Sequence, residues 1–101
     1  MTENERETMI GVIEMLKWIE REMLKWIEER DRVAKTYDVE QFKKFYEKWS
    51  KRGFYQISLP KNDKVIEITM RKMVYHMQGS TPEEKKEAEE WLMNHGCTTE
   101  L

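Results

Sequence analysis

A chain of 101 residues is long enough for one domain with one core, and near-equal apolar and charged fractions, 39% and 38%, argue against disorder and for strongly amphipathic helices. The formal charge of −2 conceals a segregation of −3 over residues 1–34, +5 over 35–79 and −4 over 80–101, so a basic middle lies between acidic ends. Cys97 is the only cysteine, which excludes an intrachain disulfide and a thiolate zinc cluster, and no apolar run approaches the ~20 residues of a membrane span. The first residues, MTENERE, have neither a basic lead-in nor an apolar signal core, so the expectation is a cytoplasmic protein with a reduced thiol and no membrane partner.

Glu3 to Lys35 contains no proline and one glycine, Gly11, among good helix formers of mixed charge. Thr2 with Glu5 fits a capping box, and acids fill the first turn. The spacing predicts one long helix. Inside it, EMLKWIER at residues 14–21 is followed directly by EMLKWIEE at 22–29. Eight residues advance a helix by two turns plus about 80°, so the second copy faces a different direction from the first. Val12, Leu16, Ile19, Met23, Ile27 and Ala34 form one stripe flanked by Met9 and Trp26, and this stripe is expected to be core. Ile10, Trp18 and Leu24 fall outside it and are the candidate protein-binding residues, with a homodimer through this helix as one outcome.

Asp38 with Gln41 resembles a capping box, and Val39, Phe42, Phe45, Tyr46 and Trp49 recur at helical spacing. Gly53 follows Lys51 and Arg52 where a C-terminal cap belongs, so a second helix is expected over Val39 to Arg52. Phe54 to Leu59 alternates, Pro60 to Asp63 is a turn cluster, and Val65 to Met70 is β-branched and alternating again, which predicts a two-stranded β-hairpin. Arg71 to Gln78 fits either an extended strand or a short helix. Thr81, Pro82 and Glu84 form a strong helix start, and that helix should run to about Asn94, bury Ala88, Trp91 and Leu92, and leave 97–101 as a loose tail. The expected fold is therefore α+β over a single domain, residues 1–101, with the first helix as its spine.

Chemistry is sparse. His95 and Cys97, with His76 elsewhere, fall short of the three or four ligands a zinc site requires, and nothing supplies a nucleophile with its base and oxyanion site. The paired carboxylates, such as Glu28 with Glu29, neighbour Lys and Arg as solvated helix charge does, and no phosphate loop or dinucleotide fingerprint occurs. Neither catalytic residues nor a metal or cofactor is expected. Lys43, Lys44, Lys48, Lys51 and Arg52 on the second helix, followed by Lys61 and Lys64 in the hairpin, would suit nucleic acid in the helix-then-wing order of winged-helix proteins. The favoured expectation is a small non-enzymatic protein-binding module, a regulator or inhibitor of a larger nucleic-acid-handling machine, by analogy with compact domains encoded by phages and other mobile elements.

Overall fold

The computed structural model describes residues 3–101, with side chains from Gly11 onward, and it is helical throughout its regular structure. Four helices follow in order: α1 (Glu3–Thr36), α2 (Val39–Lys51), α3 (Asp63–His76) and α4 (Pro82–Asn94). Among the described residues there is no strand, so the expected β-hairpin and the α+β class are corrected to an all-α fold.

The correction has a local cause at each expected strand. Residues 65–70 belong to α3, which starts because Asn62 takes the N-cap conformation and its side chain accepts from the Lys64 backbone N–H. Ile66, Met70 and Val74 then recur one turn apart and are all buried, joined by Met77 just past the helix end. The alternating set Ile66, Ile68, Met70 has the period of a strand, but Ile68 is only half-buried and Val65 is exposed. Burial on a helical face outweighs the modest β-preference of the branched residues. The same helix absorbs the ambiguous stretch 71–76.

Residues 54–59 form a loop folded onto the core. The backbone reverses at Gly53, whose φ of 86° suits glycine, and Phe54 N–H donates back to the Trp49 carbonyl. Phe54, Tyr55 and Leu59 pack against the aromatic cluster, whereas Ile57 is 82% exposed, so the expected Tyr55–Ile57–Leu59 face does not exist.

α3 is the hub, packed against each of α1, α2 and α4. One side of it meets Val33 of α1 and Phe42, Phe45 and Trp49 of α2; the other joins Ala34 to Ala88 of α4. The α1–α2 turn passes through Tyr37 at φ 54°, and Asp38 caps α2 by accepting from Gln41 N–H. The capping box of Thr81 and Glu84 is present in both directions, with Pro82 at the start of α4. Ala88 and Leu92 are buried as expected and Trp91 is half-buried. Beyond α4, Cys97 N–H donates to the Leu92 carbonyl and the Thr99 carbonyl accepts from His76 Nε2 at 2.6 Å. The capping box expected at Thr2 lies outside the described residues.

Candidate functional site

α1 has 34 residues and therefore runs about 51 Å. α2, α3 and α4 gather around its C-terminal third, giving a molecule of 64 × 30 × 20 Å: a compact head on a projecting helix. Three attachments fix where the head begins. Glu22 Oε2 accepts from Arg52 Nη1 at 3.0 Å, Trp26 Nε1 donates to the Tyr55 hydroxyl at 3.0 Å, and Glu29 Oε2 accepts from Lys48 Nζ at 2.8 Å and from Trp49 Nε1 at 3.2 Å. Partial burial works to raise the pKa of the Glu29 carboxyl, but the two hydrogen bonds and the charges of Lys48 and Arg32 outweigh it and leave the value lowered.

N-terminal to those attachments the helix has no cover. Every residue from Gly11 to Arg21 is exposed, and the exposed set includes Val12, Ile13, Met15, Leu16, Trp18, Ile19, Met23 and Leu24. The expected core stripe therefore divides. Ala34 is fully buried and Ile27 half-buried, whereas Val12, Leu16, Ile19 and Met23 lie 40–57% exposed. The reason is geometric: the stripe outruns the three helices that could cover it.

The spacing along the uncovered part is informative. Met9, Val12, Leu16, Ile19, Met23 and Trp26 are separated alternately by three and four residues, the seam of a helix built to pair with another helix. Ile13 and Met15 flank the seam on either side; Glu20 and Glu22 flank it one heptad later. A contiguous apolar face of this size is unusual for the free surface of a monomer.

Of the residues singled out from sequence, Trp18 and Leu24 are exposed, at 58% and 54%, and Trp18 borders a shallow cleft with Glu22, Arg52 and Phe54. The Ile10 side chain lies outside the described residues. Sequence reasoning assigned the stripe itself to the core and missed it as a surface. The three-four spacing is the signal that could have found it.

The basic residues are dispersed and mostly engaged. Lys43 bridges Glu40 and Asp63, and its hydrogen bond to Asp63 raises its pKa despite a small opposing desolvation. Lys48 pairs with Glu29, Lys51 with Glu47 and Arg52 with Glu22. Lys64 sits over the Trp91 ring, while Lys44 and Lys61 are exposed. The wing that would accompany a recognition helix is a loop, so the helix-then-hairpin arrangement is not formed.

The remaining candidates do not converge. His95 stacks on Trp91 with ring centroids 3.8 Å apart and donates from Nδ1 to the Trp91 carbonyl, and Cys97 is half-buried with its Sγ donating to the His95 carbonyl. Among the described residues no three His, Cys, Asp or Glu side chains gather as a metal site would require. No helix there is long and apolar enough to cross a membrane. Comparison with family models, with curated proteins and with solved structures gives no match, so the functional reading rests on the geometry of α1.

Proposed function

We propose that this chain is a non-enzymatic protein-binding module whose binding element is the projecting half of α1, residues 11–25. The observation that carries the reading is the exposure of eight large apolar side chains on one uncovered helical segment, next to a head that already has its own core. Leaving such a surface in water is unfavourable by roughly 25 cal/mol per Å² of apolar area, so covering it supplies the driving force for association. A helix laid against another helix or a groove is the recognition mode that this spacing serves. Regulation or inhibition of a larger nucleic-acid-handling machine is the role proposed for the module, with the acidic N-terminal segment available to a basic surface on such a target.

A photo-reactive residue placed at Leu16, and separately at Lys86 on the exposed face of α4, tests the binding element. Protein adducts that form from position 16 and not from position 86 are expected. No adduct from position 16, or equal adducts from both, overturns the assignment.

A further inference from the structure

We infer that the occupant of the uncovered α1 face is a second copy of this chain, paired antiparallel about a two-fold axis at the level of Glu14. The inference rests on the reading of α1 as the binding element and names its partner. Three observations lead to it: where the head lies, which residues flank the seam, and how their charges alternate.

The head covers the same stripe at Val33 and Ala34 that is bare at Val12, Leu16 and Ile19. Two copies paired in parallel and in register would thus press their heads into one another. An antiparallel pair sends each head to an opposite end and leaves only bare helix in the middle. Pairing can extend from residue 3 of one copy to residue 25 of the other, and there the Glu22–Arg52 contact brings the head against the helix.

Within that limit, one register matches seam to seam. Residues whose numbers sum to 28 then face each other, so Val12 meets Leu16 of the second copy and Met9 meets Ile19, each layer joining the two kinds of seam position as antiparallel coiled coils do. At the axis the flanking residues meet their own copies, Ile13 with Ile13 and Met15 with Met15. This accounts for apolar flanks at the one place where charge would face like charge. One heptad outward on the same flank as Ile13, Arg6 falls opposite Glu20, so opposite charges close each end. An identical patch on both partners satisfies the self-complementarity that a two-fold interface demands. A paired length of about 34 Å along helices about 10 Å wide gives a footprint of several hundred Å² per partner, approaching the ~800 Å² of a standard stable interface.

Sedimentation of the full chain over a wide concentration range, combined with a charge swap, tests the proposal. The wild type should pass from monomer to dimer as concentration rises, and Leu16→Glu with Ile19→Glu should weaken the dimer about a hundredfold or more. Arg6→Glu and Glu20→Arg should each weaken it severalfold, and the double swap should restore it. Residues 6 and 20 lie about 21 Å apart along one helix, too far to interact within a chain, so rescue can come only from an antiparallel neighbour. A dimer that the double swap does not rescue overturns the antiparallel register. A chain that stays monomeric at high concentration overturns self-association altogether, while adducts from position 16 to a different protein would still uphold the binding element.

Discussion

The indole N–H of Trp26 donates to the hydroxyl of Tyr55 across 3.0 Å, tying the projecting helix to the loop that follows α2. The two rings meet edge to face at 6.1 Å, and Tyr55 in turn stacks on Tyr46 at 4.2 Å, whose own hydroxyl donates to the Ile57 carbonyl. A loop without regular structure is thus held by aromatic contacts and two hydroxyls. Burial raises the pKa of the Tyr55 hydroxyl, partly opposed by its bond from Trp26 and by the charge of Arg30. Tyr55→Phe keeps the ring and removes the acceptor, leaving the indole N–H without its partner. Urea denaturation should show a loss of about 0.5–1.5 kcal/mol, and Trp26→Phe combined with Tyr55→Phe should cost less than the sum of the single changes.

α3 offers a direct contrast between the two periods its sequence allows. A strand would present Ile66 and Ile68 on opposite sides of Glu67 to one face, so both would matter alike. In the helix Ile66 is fully buried and Ile68 half-buried. Ile66→Ala should cost about 2–5 kcal/mol by leaving a cavity among Phe42, Phe45 and Met70, and Ile68→Ala markedly less. Asn62→Ala, which removes the N-cap, should cost about 1 kcal/mol and lower the helical circular dichroism signal. Equal costs at 66 and 68 would contradict the helix.

These contrasts also show where the sequence was readable. Helix ends were legible wherever capping chemistry is specific: Asp38, Asn62 by hindsight, and Thr81 with Glu84 all sit where their side chains serve orphaned backbone N–H groups. The centre of α3 was not, because Ile66, Ile68 and Met70 satisfy a period of two while Ile66, Met70 and Val74 satisfy one turn. Only the presence of α1, α2 and α4 around it chooses between them. The binding face was hidden for a related reason. Periodicity says that Leu16 and Ile19 share a face with Ala34; it does not say how far along that face the rest of the chain can reach.

Glu29 supplies a pH dependence with a definite sign. Its carboxyl pKa is lowered in the folded chain, since Lys48 and Trp49 bond the ionised form. Its contribution to stability is therefore fully present above the unfolded carboxyl value, about 4.3, and is lost as pH falls through the lower folded value. Stability profiles of wild type and Glu29→Gln should differ most near neutral pH and converge in acid below pH ~4. A gap that widens towards acid would show that this pairing is not what the carboxylate contributes.

Arg71 is held by ring faces more than by charge partners. Its guanidinium lies 3.5 Å from the centroid of Tyr37 and 4.8 Å from that of Trp91, and its Nε is buried without a hydrogen-bond partner. Burial raises the pKa of the Tyr37 hydroxyl against the opposing charge of Arg71 beside it. If flat stacking is the main contribution, losses should follow how much of the sandwich each replacement refills. Arg71→Ala opens the space between the two rings and should cost the most, about 2 kcal/mol or more. Arg71→Lys keeps a cation but not the plane, forfeiting part of the ~0.5–2 kcal/mol that a ring-face contact supplies. Arg71→Met fills the same gap with a polarizable chain and removes the unpaired buried donor, so it should be the mildest of the three. Thermal unfolding of the three variants ranks them directly, and a lysine variant more stable than the methionine variant would make charge, rather than stacking, the reason arginine stands between Tyr37 and Trp91.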